Sequence, residues 1–409
     1  MTLARARYGR PLWLDQFPKS RIPAYPRHRG PLTTDVAIIG GGLTGCATAY
    51  AFAAAGIKVV LFEADAIGRG STASSAGWIG DEPGVGFADL ARTLGLRNAR
   101  GAFQAWHRAA LDFIALLRRL DIRCALEPRT AITVAANREQ DARLKREQKA
   151  RKEAGLDAPL LPARTLRAEI ALAGGTGLRG RAGATIDPYR ATLGLAAAAV
   201  DRGAQLFEHT RVTKVKFTRK WADLQTDGGT VRTSRVVVAT GRPTALHRSL
   251  ARHFWFQSAY VVLTDPVPFK VRRQLGQRAA VVRDLAVPEH IVRWIDDERL
   301  LVMGADAESP PARQRDQVLV QRTGQLMYEL SVLYPDISGI PPAAGWDCSY
   351  AKTAEGVPYI GPHRNFPHHL FAFGDSSHSV TGAYLASRIL LRYHLGESES
   401  SDRAFEFTR

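Results

Sequence analysis

Four glycines near the start of the chain have a spacing that suits phosphate binding. The segment Gly40-Gly41-Gly42-Leu43-Thr44-Gly45 matches the pattern GxGxxG. In this pattern the first glycine permits a tight turn, the second lets the backbone approach a pyrophosphate, and the third lets a helix pack closely on a strand. Glu63 stands at the end of the next predicted strand, where a carboxylate accepts hydrogen bonds from a ribose. The spacing therefore predicts a dinucleotide-binding site.

The stretch that follows Glu63 bears on which dinucleotide binds. Residues 68–77, with the sequence GRGSTASSAG, are small and mostly polar. Small residues let a chain lie along an extended diphosphate and a flat ring, whereas an NAD dehydrogenase usually continues into another helix. The glycine spacing alone does not separate FAD from NAD, so the composition of this stretch is what favours FAD.

The predicted elements around these motifs alternate as a nucleotide-binding fold requires. An apolar strand at 36–39, an alanine-rich helix at 43–55 and a strand at 58–63 form one βαβ unit. Between residues 257 and 304, several short β-type runs separated by turns predict an antiparallel sheet. The order therefore predicts an α/β fold with an antiparallel sheet inserted into it. Further helices are predicted at 106–120, 138–154, 187–203, 314–334 and 382–395.

The composition is that of an ordinary globular protein. The 409 residues are 45% hydrophobic and 23% charged, which excludes a largely disordered chain, a collagen and a coiled coil. Three cysteines, Cys46, Cys124 and Cys348, lie too far apart in the sequence for a disulfide framework or a CxxC metal motif. We therefore expect a cytoplasmic protein with no metal site.

The net charge of +17 attracts anions, such as a phosphate-bearing cofactor, an acidic substrate or nucleic acid. Most of the basic residues are arginines spread along the whole chain, and no compact basic block stands out, so we expect no nucleic-acid partner. The longest apolar stretch, 36–62, is interrupted by glycines and Lys58, and the N-terminus lacks the apolar core of a signal peptide. We expect no membrane span.

Three blocks of the sequence carry a resemblance to a known family. The first is TTDVAIIGGGLTGCATAYAFAAAGIKVVLFEADAIGRGSTASSAG, from residue 33 to 77. The second is VVVATG at 236–241, and the third is EGVPYIGP at 355–362, followed by LFAFGDSSHSVTGAYLASRILL. Together they resemble the FAD-dependent D-amino-acid oxidase superfamily, which includes glycine oxidase, sarcosine oxidase and γ-glutamylputrescine oxidase.

The resemblance implies a Rossmann-like FAD-binding domain assembled from separate segments, with an inserted substrate domain that contains the antiparallel sheet. The implied boundaries are an N-terminal arm at 1–33, an FAD-binding domain at 34–90, 164–245 and 345–409, and a substrate domain at 91–163 and 246–344.

The resemblance also implies which residues bind FAD. These residues would contact FAD along its whole length, from the adenine and its ribose through the diphosphate to the ribityl chain and the flavin ring. They are Gly40, Gly42, Leu43, Thr44, Gly45, Glu63, Ala64, Arg69, Gly70, Ser71, Ser74, Ser75, Ala76, Gly77, Val212, Thr240, Gly241, Gly374, His378, Ser379, Val380, Thr381 and Gly382. The helix that begins near Gly382 would stabilise the anionic reduced flavin through its dipole.

The sequence departs from the family at the substrate anchor. Glycine oxidase-like members carry an arginine in a WxGLRP segment, which holds a substrate carboxylate, but here the segment reads WDCSYA and Tyr350 stands at that position. Arg283 or Arg293 on the inserted sheet are alternative carboxylate anchors, and both also suit a solvated surface. Tyr260 suits a substrate contact or the core. His378 titrates near neutral pH and suits an acid or base, or a structural role.

Two further features follow from the resemblance to sarcosine oxidases. These enzymes attach flavin through a cysteine, and Cys348 with Ser349 and Tyr350 has that context, although Cys348 also suits a small buried thiol beside the flavin. They also use a lysine above the flavin to activate oxygen. The strand at 299–304 ends without one, which leaves Lys270 or Lys352 and keeps the electron acceptor, oxygen or another molecule, open.

The sequence thus predicts an FAD-dependent oxidoreductase that oxidises the C–N bond of a small amine or amino acid by hydride transfer to flavin N5. The alternatives are an FAD-dependent dehydrogenase of a hydroxy acid, or a tRNA-modifying or other nucleic-acid-associated flavoprotein, which the net charge of +17 suggests.

Overall fold

The computed structural model describes residues 6–156, 158–172 and 175–409, and the elements below lie within these ranges. The strands are β1 (Arg7–Tyr8), β2 (Leu32–Ile39), β3 (Val59–Phe62), β4 (Trp78–Gly80), β5 (Glu127–Pro128), β6 (Ala131–Val134), β7 (Leu160–Leu161), β8 (Gly177–Arg179), β9 (Gly183–Thr185), β10 (Gln205–Phe207), β11 (Val212–Phe217), β12 (Ala222–Thr226), β13 (Gly229–Gly241), β14 (Trp255–Thr264), β15 (Val281–Arg283), β16 (Ile291–Ile295), β17 (Arg299–Glu308), β18 (Pro342–Lys352), β19 (Tyr359–His363) and β20 (Phe366–Phe373). The α-helices are α1 (Leu12–Gln16), α2 (Leu43–Ala54), α3 (Ser71–Ser74), α4 (Phe87–Leu94), α5 (Leu96–Arg119), α6 (Arg138–Glu153), α7 (Ala163–Ile170), α8 (Pro188–Val200), α9 (Phe269–Arg272), α10 (Arg315–Leu333) and α11 (Thr381–Leu395).

An eight-stranded sheet contains the predicted βαβ unit. Its parallel part runs in the order β10-β3-β2-β13-β20, and α2 packs between α8 and α11 on one face. Residues 36–39 of β2 and the whole of β3 are apolar and buried, as expected for parallel strands that are covered on both faces. The long strand β13 continues out of this part and pairs antiparallel with β12, which pairs with β11. The predicted α/β architecture is confirmed.

A nine-stranded, mainly antiparallel sheet runs in the order β1-β18-β14-β17-β16-β15-β6-β8-β7. Side chains alternate between its two faces, as the period of a strand dictates. On β14, Val261 and Leu263 join the main core that the eight-stranded sheet and its helices share, whereas Val262 joins a separate core with α10. One face of this sheet therefore looks toward the eight-stranded sheet and its helices, and the other is covered by α10.

The strands divide the chain differently from the boundaries implied by the resemblance. β8 and most of β18 lie in the nine-stranded sheet, although they fall inside segments that the resemblance assigns to the FAD-binding domain. Conversely, α5, which falls in a segment assigned to the substrate domain, packs against α11 in the main core. The difference arises because the chain crosses between the two sheets more often than turn signals in the sequence reveal.

The N-terminal arm adds a strand to the nine-stranded sheet and side chains to the main core. Its strand β1 pairs in parallel with β18 at Ala344 and Gly345, so it forms the edge of the nine-stranded sheet. Leu12 and Trp13 of α1 are each only 3% exposed and belong to the main core. The arm thus contributes both a strand and core residues.

Two helices show how local sequence fixes element boundaries. Asp187 caps α8, and its side chain accepts a hydrogen bond from the Arg190 N–H at 3.0 Å, which confirms the predicted cap. Helix α5 begins ten residues earlier than predicted, at Leu96, directly after Gly95, whose φ of +79° separates it from α4. Within the described residues, every helix is too short or too polar to cross a lipid bilayer.

Candidate functional site

The glycine-rich turn joins β2 to α2 and leaves no room for side chains at two positions. Gly40 has a φ of +109°, and a Cβ there would lie 2.8 Å from the Ala239 carbonyl oxygen. A Cβ at Gly45 would lie 1.8 Å from the Gly40 carbonyl oxygen. Because α2 begins at Leu43, immediately after the turn, its free N–H groups and the positive end of its dipole lie beside these glycines. This arrangement suits the predicted pyrophosphate.

Glu63 is held beside the same turn by backbone groups. Its Oε2 atom accepts a hydrogen bond from the Gly41 N–H at 2.7 Å, and its Oε1 atom accepts one from the Asp65 N–H at 2.8 Å. An ionised carboxylate has about four acceptor positions, so further hydrogen bonds from ribose hydroxyls remain possible. Ala64 follows directly. Val212, which the resemblance assigns to the adenine, is buried at the start of β11 in the same core cluster as Phe62.

The three sequence blocks meet at the carboxyl edge of the parallel strands. Gly40 directly follows β2 and lies beside Ala239 of β13, and the Gly374 N–H donates a hydrogen bond to the Gly241 carbonyl oxygen at 3.0 Å. Thr240 lies between these contacts. In open α/β sheets ligands bind outside this edge, where neighbouring strands diverge. Residues more than 300 positions apart in the sequence are thereby brought to one site.

Residues 68–77, named here the cofactor loop, face the glycine turn. The Leu43 N–H donates to the Thr72 hydroxyl at 2.9 Å, and a Cβ at Gly42 would lie 3.2 Å from the same oxygen. Ala76 and Gly77 of the loop are buried, Ser74 and Ser75 are half-buried, and Arg69, Gly70 and Ser71 are exposed. A glycine cradle, a helix N-terminus and a polar loop that face one another fit the diphosphate of FAD.

The segment from Gly374 to Gly382 is tied to the end of the cofactor loop. The Gly80 N–H donates to the Ser379 hydroxyl at 3.1 Å, and the Val380 N–H donates to the Trp78 carbonyl oxygen at 2.8 Å. The Thr381 hydroxyl donates to the Gly80 carbonyl oxygen at 2.7 Å, directly where α11 begins. These bonds place the N-terminus of α11 beside the stretch assigned to the flavin.

Asp375 is a buried carboxylate in this segment that the sequence did not single out. A Cβ at Gly382 would lie 2.0 Å from its Oδ2 atom, so glycine is required there. Its Oδ1 atom accepts hydrogen bonds from the Ser377 N–H at 3.0 Å and the Ser377 hydroxyl at 2.6 Å. Burial raises the pKa of Asp375 above its ordinary value.

Strand β18 presents three side chains to the cofactor side. Trp346, Cys348 and Tyr350 alternate with residues of the opposite face. The Trp346 indole donates to the Ser74 carbonyl oxygen at 3.0 Å, and the Cys348 thiol lies 3.7 Å from the Ser71 carbonyl oxygen. Burial raises the pKa of Cys348 to about 12, so the group beside the cofactor loop is a neutral thiol at pH 7. Its covalent bond to flavin stays a prediction.

Tyr350 and His378 come together through Asp306. The Tyr350 hydroxyl donates to Asp306 Oδ2, and His378 Nε2 lies 2.9 Å from the same oxygen. The two rings meet edge to face with centroids 5.0 Å apart. His378 has a φ of +55°, a conformation uncommon for a residue other than glycine and often found at functional sites. We name these three residues the Tyr350–Asp306–His378 cluster.

A β-bulge brings Asp306 into this cluster. The pairing of β17 with β14 shifts register between Tyr260 and Ser258, and Ala305 has a φ of +51° at that point. A bulge of this kind inserts one residue and re-aims the next side chain. The sequence reasoning missed Asp306 because alternation along β17 does not show where a bulge occurs; the only signal is a lone acid after the apolar run that ends at Gly304.

The contacts within the cluster favour the charged forms of Asp306 and His378. Burial alone would raise the pKa of Asp306, but the charge and hydrogen bond of His378 and the hydrogen bond of Tyr350 outweigh it and lower that pKa. Burial alone would lower the pKa of His378, but the charge and hydrogen bond of Asp306 outweigh it and raise that pKa. The pKa of Tyr350 is raised by burial and by the neighbouring carboxylate. These directions favour an ion pair between Asp306 and His378 beside the protonated phenol of Tyr350.

Arg283 lies on the same face of the sheet but is already paired. Its Nη2 atom lies 2.7 Å from Glu289 Oε2, and its guanidinium lies 5.3 Å from the centre of the Trp78 ring. A second buried pair lies nearby, because Arg151 forms two bonds to Glu82, at 2.5 and 2.9 Å. The pKa of Glu82 is lowered, since its desolvation is outweighed by the charges of Arg151 and then Arg283. The buried guanidinium groups of Arg283 and Arg151 therefore each lie against a carboxylate.

The structure does not bring Tyr260 or Arg293 to the Tyr350–Asp306–His378 cluster. Tyr260 pairs with Asp347 across the strands and packs with α10, on the face turned away from the cofactor loop. Arg293 is buried beneath the cofactor loop, where its Nη1 atom donates to the carbonyl oxygens of Ala76 and Gly77 at 2.7 and 2.5 Å.

The remaining candidates are the two lysines. Lys270 lies on the exposed helix α9, and Lys352 lies exposed at the end of β18, where its charge contributes to the lowered pKa of Asp306. Among the residues that the structure describes, no three histidine, cysteine, aspartate or glutamate side chains are grouped so that they would hold a metal ion.

Comparison with known proteins gives a family match across most of the chain. The family model described as "DAO: FAD dependent oxidoreductase" matches residues 35–392. Two curated relatives are similar over most of their length. The gamma-glutamylputrescine oxidoreductase of Escherichia coli (strain K12) is 26% identical over 375 residues, which cover 91% of this chain and 86% of the relative. The glycine oxidase of Geobacillus kaustophilus (strain HTA426) is 27% identical over 341 residues, which cover 80% and 84%.

A solved structure agrees with the fold. The crystal structure of glycine oxidase from Geobacillus kaustophilus superimposes with a TM-score of 0.73 at 22% sequence identity, over 92% of this chain and 99% of that chain. At this level of identity the similarity supports the arrangement of sheets and helices, and the substrate must be argued from the site itself.

Proposed function

The chain belongs to the DAO family of FAD-dependent oxidoreductases, whose model matches residues 35–392. We propose that it oxidises the C–N bond of a small amine that carries no carboxylate on the reacting carbon. FAD, when bound, supplies the acceptor for the hydride that leaves this carbon. The resulting imine is hydrolysed to a carbonyl compound and an amine. The two relatives named above act, by their names, on an amine derivative and on an amino acid, so the choice between these classes rests on this chain's own site.

One observation carries the choice. The Tyr350 hydroxyl gives its only proton to Asp306, so it offers lone pairs and no proton to anything else in the site. An acceptor of this kind matches the N–H of an amine and mismatches a carboxylate, which needs donors. At this same position the resemblance to glycine oxidase-like members would require an arginine.

The two buried arginines on this face support the same choice. Arg283 is neutralised by Glu289, and Arg293 donates to backbone carbonyl oxygens. A substrate carboxylate at Arg283 would lie beside Glu289, which already compensates that charge, and one at Arg293 would compete with the carbonyl oxygens of Ala76 and Gly77. An amine needs neither of these arginines.

The chain's residues hold and orient the substrate. Tyr350 accepts a hydrogen bond from the substrate nitrogen, and Asp306 fixes the orientation of Tyr350. Hydride transfer needs a neutral amine. Because Asp306 and His378 already form a closed pair and the nearby residues Trp78, Cys348 and Trp346 are buried and apolar, the neutral form of the amine enters the site in preference and its proton stays in bulk water.

The experiment compares matched donors under anaerobic conditions. The purified holoprotein is mixed with primary and secondary amines, with the same amines bearing an α-carboxylate, and with hydroxy acids. The absorbance band of oxidised flavin, at roughly 450 nm, is followed in each mixture. We expect the amines to bleach the band faster than their carboxylated counterparts. Faster bleaching by the α-amino acids would contradict the proposed substrate class, and bleaching by hydroxy acids alone would support the C–O dehydrogenase alternative.

A further inference from the structure

We propose that the N-terminal arm, residues 6–31, is part of the FAD-binding apparatus and sets the affinity for FAD through Trp13. The arm lies outside the region that matches the family, which begins at residue 35. The inference rests on FAD as the cofactor and does not depend on which substrate the protein oxidises.

Trp13 reaches the cofactor loop from the arm. Its indole N–H donates a hydrogen bond to the Ser75 carbonyl oxygen at 2.9 Å, between residues 62 positions apart in the sequence. The ring also lies under the Arg293 guanidinium, at 5.5 Å from its centre. Because Trp13 is almost fully buried, this contact forms part of a packed interior and is shielded from competing water.

Trp13 is the middle member of a row of donors that holds four successive carbonyl groups. Trp346 donates to Ser74 at 3.0 Å, Trp13 donates to Ser75, and Arg293 donates to Ala76 and Gly77. The donors come from β18, from the arm and from β16, so three separate parts of the chain converge on this one loop. We name Trp13, Arg293 and Trp346 the carbonyl clamp.

The carbonyl clamp decides where the N–H groups of the cofactor loop point. In a planar trans peptide the N–H points away from the C=O of the same unit. Fixing the Ser75 carbonyl group on Trp13 therefore aims the Ala76 N–H to the opposite side of the loop. FAD binding at a loop uses such N–H groups, so losing one clamp donor would let the loop turn away from the orientation that FAD needs.

The arm also contacts the other end of the loop. The Tyr25 N–H donates to Glu208 Oε2 at 3.1 Å, and the Ile67 N–H donates to Glu208 Oε1 at 2.7 Å. The Ile67 side chain in turn packs on the glycine turn, since a Cβ at Gly41 would lie 2.5 Å from its Cδ1 atom. Hydrogen bonds thus connect the arm to both ends of the cofactor loop, one end beside the glycine turn and the other in the stretch assigned to the flavin.

The test is the affinity of full-length apoprotein for FAD, measured by quenching of flavin fluorescence. Trp13→Phe keeps an aromatic ring at the buried position and removes the N–H donor together with part of the indole ring, a loss of volume that the control variant below matches. The matched control is Trp221→Phe, because the Trp221 indole nitrogen is buried but has no hydrogen-bond partner among the described residues. We expect the Kd for FAD to rise about tenfold in Trp13→Phe, which corresponds to roughly 1.4 kcal/mol, and to stay unchanged in Trp221→Phe.

The unfolding of the apoprotein separates this inference from a purely structural role. If Trp13 serves only the core, Trp13→Phe lowers the stability of the apoprotein and leaves its Kd for FAD at the wild-type value, and that result would overturn the proposal. Hydrogen exchange on the wild-type protein provides a second measurement that needs no variant. Since coupling is reciprocal, FAD should slow exchange of the amides of residues 12–28 as well as those of the glycine turn. Protection of the glycine turn alone would also overturn the proposal.

Discussion

The Nε2 atom of His378 lies 2.9 Å from the Oδ2 atom of Asp306, and the same carboxylate oxygen accepts the hydroxyl proton of Tyr350. His378 comes from the segment before α11 and Asp306 from a β-bulge in the nine-stranded sheet, so this contact joins the two halves of the molecule at the candidate site. Asp306 is therefore the residue whose change affects both partners at once.

Replacing Asp306 with asparagine should slow flavin reduction by amines about 100-fold, because Tyr350 would lose the carboxylate that fixes its orientation toward the substrate nitrogen. Without the carboxylate, the pKa of His378 loses its main raising contribution and falls. The limb of the pH–rate profile that reports His378 should therefore move to lower pH, which anaerobic stopped-flow measurements from pH 5 to 10 will detect.

Asp347→Asn is the matched control for this variant. Asp347 is also a buried aspartate of the nine-stranded sheet, but it pairs with Arg315 on the face covered by α10, at 2.9 Å. Its loss should reduce stability and leave the pH–rate profile in place. An equal shift of the profile in both variants would argue against a specific role of Asp306.

Replacing Arg283 with methionine should destabilise the protein by about 3 kcal/mol, because Glu289 and the nearby Glu82 would lose a buried positive partner. Urea unfolding measures the loss. The double variant Arg283→Met with Glu289→Gln should recover part of it, since the unpaired charge is then removed as well. If Arg283 were instead the anchor of a substrate carboxylate, Arg283→Met would keep its stability and lose the binding of acids.

Replacing Gly45 with alanine should abolish FAD binding. The new Cβ would lie 1.8 Å from the Gly40 carbonyl oxygen, so the turn before α2 would have to open. Gly324→Ala is the control, because a Cβ there meets no atom within 4 Å and the residue lies inside α10. We expect a colourless Gly45→Ala protein and a yellow Gly324→Ala protein that is more stable by about 0.5–1 kcal/mol. A yellow Gly45→Ala protein would remove the glycine turn from the cofactor site.

His290 should make stability depend on pH in the alkaline range. Its ring bridges Asp284 at 2.6 Å and Glu329 at 2.8 Å, and these partners outweigh the effect of burial and raise its pKa to about 9. A raised pKa gives stability that is complete below the unfolded value of about 6.5 and is lost as the pH rises through about 9.

The difference in unfolding free energy between the wild type and His290→Gln measures this contribution. It should be largest at pH 6 and should shrink by pH 10, in urea titrations at both values. A difference that is constant across this range would show that the proton on His290 makes no contribution.

Local features of the candidate site could be predicted from the sequence, and features that depend on packing could not. The glycine turn and Glu63 were predictable because one βαβ unit contains both, with its spacing fixed by the geometry of a strand, a turn and a helix. Tyr260 shows the limit. Alternation says that it shares a face with every second residue of β14 but does not say which face looks toward the cofactor loop, and the structure turns it toward α10.

Asp306 and Trp13 could not have been found in this way. Asp306 reaches the cluster through a bulge, which depends on a register shift against β14. Trp13 lies in a basic, proline-rich segment without periodicity, and its partner Ser75 is identified only when the arm packs on the cofactor loop. Contacts between distant segments carry no signature in either segment alone.

The most direct test of the account is the absorbance of the purified, full-length protein before and after anaerobic addition of an amine. The account predicts a yellow protein with stoichiometric FAD whose oxidised flavin band is bleached by an amine. A correctly folded protein that is colourless and takes up no FAD, or a flavin band that no amine bleaches, would contradict it.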